Sequence, residues 1–303
     1  MRLLRFLPAD DTAGPRLGAL PHPDADVVLD LSPAGVSADL TSLLAAGPTA
    51  LDSLRQVVET GRLVEEVPLA GVRVLAPVPR PPKFLAIGLN YADHVAESAT
   101  MLDKPEHQLW FNKQSTCVIG PGDAIHVPKA SSVVDYEGEL AFVIGRRCRH
   151  VPAERASEVI AGYTIVNDVS VRDWQRRTPT MTMGKSFDTH GPMGPYLVTA
   201  DELPGGDPHG LRLRTWVDEQ LVQDSTTDHL IFDCWQMVEH LSTAFTLEPG
   251  DVISTGTPGG VGIARTPPLL LKDGMRVRIE VEGIGVLENP VIDEPDSTAT
   301  GLD

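Results

Sequence analysis

The stretch VVDYEGELAFVIG, residues 133–145, decides how this chain is read. Its second half is a continuous apolar run, as expected of a buried strand. Its first half places Asp135, Glu137 and Glu139 at alternate positions. Side chains two apart on a strand leave the same face. Three carboxylates side by side repel one another unless a cation neutralises them. Hard oxygen donors of this kind suit magnesium, manganese or calcium rather than zinc. Taken alone, the segment is either such a metal site or an acidic surface strand.

Four other segments carry chemistry. In GYTIVNDVSVRDWQRR (162–177) the apolar run breaks at Asn167 and Asp168. A carboxylate ending a buried strand is costly unless paired or metal-bound, so Asp168 is a candidate third ligand or a turn cap. Arg172 and Gln175 follow, three apart. They share a face if a helical turn begins there, and they suit a substrate carboxylate or a structural ion pair. In FLAIGLNYADHVAES (84–98) an apolar strand leads into a short helix with His94 and Glu97 three apart. A carboxylate beside an imidazole fixes its tautomer and raises its basicity, as a general base requires. MGKSFDTHGPMGP (183–195) supplies Lys185, which could steady a developing enolate, and His190, read as a loop residue. STGTPGGVG (254–262) is glycine-rich without the lysine of a P-loop, and it is either a hairpin or a source of backbone N–H groups for an anion. Lys113 in FNK (111–113) is read as structural.

The whole chain sets the bounds. It has 303 residues, with 42 acids against 25 bases and a formal charge of −17. So acidic a chain argues against nucleic acid and anionic membranes as partners. No apolar stretch approaches the roughly 18 residues of a membrane span, and MRLLRFLPADD is not read as a signal peptide. Cys117, Cys148 and Cys234 are too scattered for a disulfide framework or zinc knuckle and read as small apolar residues. A cytoplasmic location is expected. The first eighty residues suggest strands at Leu3–Leu7 and Val27–Leu31 and a helix at Thr49–Thr60. A proline-rich passage ends at Pro82, and after it short strands dominate, with helices expected at Pro152–Ala161 and Asp233–Phe245. The fold class is α+β and β-rich. The expected units are a small N-terminal domain (1–80), a catalytic domain (81–292) and a disordered tail (293–303).

Six segments together resemble the fumarylacetoacetate hydrolase family: GLNYADH (88–94), DYEGELAFVIG (135–145), AGYTIVNDVSVRDWQ (161–175), GKSFDTHGPMGP (184–195), LEPGDVISTGTPGGVG (247–262) and EGIGVLENPV (282–291). The resemblance implies a mixed β-sheet roll of the family's C-terminal-domain type and a homodimer with a divalent metal in an open cleft; the N-terminal unit, read from its residues as small and α/β, resembles nothing diagnostic. By residue match it makes Glu137, Glu139 and Asp168 the metal ligands and moves Asp135 to a supporting role. Lys185 stands beside the metal, and Arg172, Gln175 and Thr257 line the substrate site. His94 and Glu97 form the acid–base dyad. The implied cofactor is magnesium, with manganese or calcium as alternatives, and the implied substrate is a small anionic keto acid.

Several reactions share such a site. The dyad favours one that needs a positioned base and water, namely hydrolysis of a C–C bond in 2,4-diketo acids of the acylpyruvate, fumarylpyruvate or fumarylacetoacetate type. The alternative is decarboxylation or keto–enol tautomerisation of a 2-keto acid such as oxaloacetate. Retention of the dyad and all three carboxylates argues against a non-enzymatic binding module.

Overall fold

The computed structural model describes residues 1–8, 14–97 and 105–296, apart from the side chains of Ala96 and Glu97. Its centre is the strand Gly138–Ile144, buried along its whole length. Alternation sends Leu140, Phe142 and Ile144 into one hydrophobic core and Ala141 and Val143 into another. An uninterrupted apolar run can do this only with a layer on each side. One layer is a five-stranded sheet with the helix Cys234–Ala244, which contributes Leu213, Ile279, Leu287, Met237 and Leu241. The other includes the N-terminal helices Leu40–Ala45 and Pro48–Thr60, which contribute Leu40, Leu44 and Leu54.

Among the described residues the central sheet has twelve strands. Gly138–Ile144 pairs antiparallel with Ile160–Asn167 on one side and Val252–Ser254 on the other. Phe84–Gly88 then runs parallel to Val252–Ser254 and antiparallel to Leu109–Lys113. In the other direction Gly191–Val198 joins Ile160–Asn167, and the N-terminal strand Arg2–Pro8 pairs with Gly191–Val198. The fold is thus mixed sheets with few helices, as expected of an α+β, β-rich chain. The strand ends Gly138, Asn167, Ser254 and Gly88 bring four of the chemistry-bearing segments together.

The expected helix Pro152–Ala161 is a 3₁₀ run, Ala153–Val159, and Ile160 and Ala161 already belong to the next strand. Its buried residues, Ala156 and Val159, are three apart, which matches the eclipsed repeat of a 3₁₀ turn. The Gly145 amide donates to the Val159 carbonyl (2.7 Å), ending the run there. The helix expected at Asp233–Phe245 forms at Cys234–Ala244, with Asp233 and Gln236 completing a capping box. At the C-terminus Asp293 still lies in the strand Gly285–Asp293, and the Glu294 amide donates to the Val127 carbonyl (3.0 Å). Residues 297–303 of the expected tail lie outside the described residues. Cys117 and Cys234 are buried and Cys148 is half-buried, all as free thiols.

His190 is a loop residue, as read from the sequence, but not an exposed one. It is fully buried just ahead of Gly191–Val198, with Nε2 2.8 Å from the His126 carbonyl. Burial pushes its pKa down from 6.5 to about 3. The unfolded chain therefore takes up this proton first. His190 withdraws no stability above about pH 6.5, and its cost grows as pH falls from there toward 3. Each unit in that window costs up to ~1.4 kcal/mol. We expect His190→Gln to flatten the fall of unfolding free energy between pH 7 and pH 5, measured by urea titration. An unchanged slope would remove His190 from the acid sensitivity.

Candidate active site

The acidic stretch does not form one strand. Val134–Asp135 pairs with Ser170–Val171, a new strand begins at Gly138, and Glu137 sits in the break. The expectation of three carboxylates on one strand face is therefore corrected. Asp168 lies just past the end of Ile160–Asn167, where its amide donates to the Glu137 carbonyl (2.9 Å). The Asn167 side chain accepts from the Glu137 amide (3.0 Å). This local pairing places oxygens of Glu137, Glu139 and Asp168 within 4.8 Å of one another, all on buried residues. Asp135 is engaged elsewhere. It accepts from the Gly262 and Ile263 amides (2.8 and 3.0 Å) and forms an ion pair with Arg172 (2.8 Å).

Three buried cations meet these acids. Lys185 Nζ reaches Glu137 Oε2 (2.5 Å) and Asp168 Oδ2 (2.7 Å). Arg172 Nη1 reaches Glu137 Oε1 (2.7 Å). Lys113 Nζ reaches Asp168 Oδ1 (2.7 Å) and the Lys185 carbonyl. Burial disfavours the charged form of Glu137, but Lys185 and Arg172 outweigh it and hold the carboxyl below the ordinary range. Burial likewise opposes charge on Lys185, and Asp168 and Glu137 reverse that, raising its pKa. Glu139 is different. Its Oε2 accepts from the Ser254 hydroxyl (2.5 Å) and the Gly256 amide (2.9 Å). Among the described residues no lysine, arginine or histidine pairs with it. Burial, then the charges of Asp168 and Glu137, push its pKa well above the usual carboxylate value. A buried carboxylate without a cation, beside two others, fits a hard divalent ion.

A cavity of about 200 Å³ opens onto this cluster. Glu137, Glu139, Arg172, Gln175, Lys185, His94 and Thr257 line it, together with apolar Ile87, Leu89, Leu109, Phe111 and Met181. Asp168 lies behind this lining and is held by both lysines. Arg172 and Gln175 share the short helix Arg172–Gln175, and Arg172 Nη1 donates to Gln175 Oε1 (3.1 Å), leaving the Gln175 NH₂ facing Met181 Sδ at 3.7 Å. Arg172 is thus both a cavity residue and a structural ion pair. Thr257 is anchored, donating to the Gly138 carbonyl (3.0 Å) and accepting from Gln223 (2.8 Å). Gly184 is required here: a Cβ on it would stand 2.2 Å from the Gln175 amide nitrogen. The helix Ala92–Glu97 carries His94 to the cavity, and the Glu97 side chain lies outside the described residues.

Two contributors escape a reading of the sequence. Lys113 is part of the charged cluster, yet nothing around FNK distinguishes it from a surface lysine. Gln223, in the strand Gln220–Thr226, braces Gly138 and Thr257 from a segment with no motif.

The chain is similar to known proteins along nearly its whole length. Over 296 residues the chain is 38% identical to the mitochondrial oxaloacetate tautomerase fahd2 of Xenopus laevis, covering 96% of this chain and 90% of the relative. A 5-carboxymethyl-2-hydroxymuconate delta-isomerase from Mycobacterium smegmatis superposes with a TM-score of 0.76 at 38% identity, covering 98% of this chain and all of that one. The maleylpyruvate hydrolase of Sphingobium sp. SYK-6, crystallised with manganese(II) and pyruvate, gives 0.79 at 31% identity, over 97% of this chain and 100% of the other. The family model for the fumarylacetoacetate (FAA) hydrolase C-terminal domain matches residues 83–292, and the chain belongs to that family.

Proposed function

We propose that this protein is a divalent-metal-dependent enzyme interconverting the keto and enol forms of a short 2-keto acid, with oxaloacetate as the first substrate to test. The observation that carries this reading is the meeting of His94, Lys185, Glu137 and Glu139 around one cavity of about 200 Å³. Similarity to an oxaloacetate tautomerase along nearly the whole chain supports it. Glu137, Glu139 and Asp168 would hold the cation, magnesium or manganese by the hardness of their oxygens. When bound, it would lend positive charge to the substrate's carboxylate and keto oxygens as enolate character develops.

The chain's own residues then move and place the proton. His94 takes it from the carbon next to the carbonyl and delivers it to the carbonyl oxygen. Lys185, kept protonated by Asp168 and Glu137, donates to that oxygen while it carries negative charge. The Gln175 NH₂, oriented by Arg172, holds the substrate carboxylate. No water has to be activated. Hydrolysis of a 2,4-diketo acid is the second reading, favoured by similarity to the maleylpyruvate hydrolase over 97% of this chain. It would need His94 to draw a proton from water instead, whereas decarboxylation would need Lys185 and the cation but no base. We also propose a homodimer located in the cytoplasm, where the three free thiols are stable. Among the described residues no helix is long and apolar enough to cross a membrane.

Metal removal, substitution, substrate choice and mass each test the proposal. Chelation should abolish turnover, and Glu139→Gln should weaken Mn²⁺ binding at least ~10-fold in a calorimetric titration, given that even residues supporting a ligand are worth ~10–100-fold. Unchanged affinity would remove Glu139 from the ligand set. His94→Ala should slow oxaloacetate tautomerisation, followed by enol absorbance, by roughly 10²–10⁴-fold. Lys185→Ala should slow both tautomerisation and any decarboxylation. A parent that cleaves acylpyruvates but leaves the oxaloacetate keto–enol rate at its uncatalysed value would transfer the assignment to hydrolysis. Light scattering should give twice the 32.6 kDa chain mass, and the single-chain value would refute the dimer.

A further inference from the structure

The helix bearing His94, Ala92–Glu97, has six residues. Isolated helices that short are unstable, so tertiary contacts must hold this one in place. Asn90 and Tyr91 hold its entry, through Thr255, Phe232 and Leu230, and Asp93 holds its first turn. Asp93 Oδ2 accepts from the Ser225 hydroxyl (2.6 Å), and Oδ1 accepts from the Gly259 amide (3.3 Å) and from the His94 amide (2.8 Å). His229 Nδ1 lies 3.0 Å from Ser225 Oγ and 3.7 Å from Asp93 Oδ2. One half-buried carboxylate thus ties the first turn of this helix to two other elements.

Those elements also build the rest of the site. Gly259 lies between Gly256, whose amide holds Glu139, and Gly262, whose amide holds Asp135 and through it Arg172. Ser225 lies on the strand whose Gln223 braces Gly138 and Thr257. We infer that Asp93 is the positioning residue for His94, fixing the proton-transfer helix in register with the carboxylate cluster through Ser225 and Gly259. Its own carboxylate is occupied by donors from the protein, so its role is geometric. Catalytic groups misplaced by about 1 Å lose roughly 10²-fold in rate, so a latch on this helix acts on turnover rather than on binding.

The inference rests on His94 as the proton-transfer group, and the experiment separates the two. Asp93→Ala, Asp93→Asn and His94→Ala are compared with the parent by amide hydrogen exchange of residues 92–95, by Mn²⁺ calorimetry and by kcat and KM for oxaloacetate. Asp93→Ala should speed exchange by roughly 10-fold or more, since a charge-assisted bond is lost. It should lower kcat by roughly 10- to 100-fold with KM and Mn²⁺ affinity near parental. Asp93→Asn keeps an acceptor for Gly259 and a polar group for Ser225, and should restore both exchange and kcat. Unchanged exchange or kcat in Asp93→Ala overturns the latch, as does a parallel loss of Mn²⁺ affinity. Parental activity in His94→Ala instead overturns the reading of His94. If Asp93→Ala does not fold, Ser225→Ala, which removes only the Oδ2 bond, is read in the same way.

Discussion

Four carboxylates and three cations share one buried volume, and the imbalance between them organises the site. Asp135, Glu137, Glu139 and Asp168 face Lys113, Arg172 and Lys185, which leaves one excess negative charge. Buried ions are tolerated only when paired and hydrogen-bonded, and the pairs are distributed accordingly. Glu137 has two cations and Asp168 has two, while Glu139 has only a hydroxyl and an amide. The deficit falls on the carboxylate that completes the triad. With Glu139 ionised, a divalent ion there would change the formal charge of the cluster from −1 to +1, inside a chain of formal charge −17. Exposed charges beyond about 8 Å are largely screened at physiological salt, so the local balance outweighs the global one.

The loop Ser254–Gly262 keeps this balance in geometry. Gly256 presents its amide to Glu139, Gly259 to Asp93, and Gly262 to Asp135. Its glycines are there for close approach: a Cβ on Gly262 would lie 1.9 Å from the Leu269 carbonyl, and one on Gly260 would lie 2.0 Å from the Val222 carbonyl. The amides that the sequence suggests for an anion are spent on the protein's own carboxylates. They orient the acids, and the acids orient the cations.

How far the site is legible in the sequence depends on whether its partners are local. Arg172 and Gln175 are readable because a helical turn makes residues three apart meet, and their hydrogen bond forms as that spacing suggests. Asp168 is readable because a carboxylate at the end of an apolar run needs a partner. The Asp135–Glu137–Glu139 alternation leads to the right cluster through the wrong geometry, because the strand breaks at Tyr136 and Glu137 and only the turn of the chain returns Glu137 toward Glu139. Lys113 and His190 are illegible for one reason. Their burial comes from strands distant in sequence, and nothing in their neighbours marks a lysine or histidine that will lose contact with water. The helix expected at Pro152–Ala161 fails in a related way, since the apolar Val159–Ile160 pair is claimed by sheet pairing that begins beside it.

What separates the reactions open to such a site is the fate of one proton once enolate character has formed. Returning it to oxygen completes a tautomerisation, whereas cleaving a C–C bond requires a water to reach a second carbonyl. Ile87, Leu109, Phe111 and Met181 supply the apolar part of the cavity lining. Apolar side chains offer water no hydrogen-bond partner, and a water needs two to four to be held in place, so any water here is held by the polar part of the lining. Lys185, with Glu137 and Asp168 on its ammonium and the Phe111 ring 4.9 Å away, is kept charged and fixed in position. A fixed ammonium stabilises an oxyanion without reorganising. The same fixed ammonium serves every reaction that passes through an enolate, so the choice among them rests on where the proton goes and not on the charged cluster.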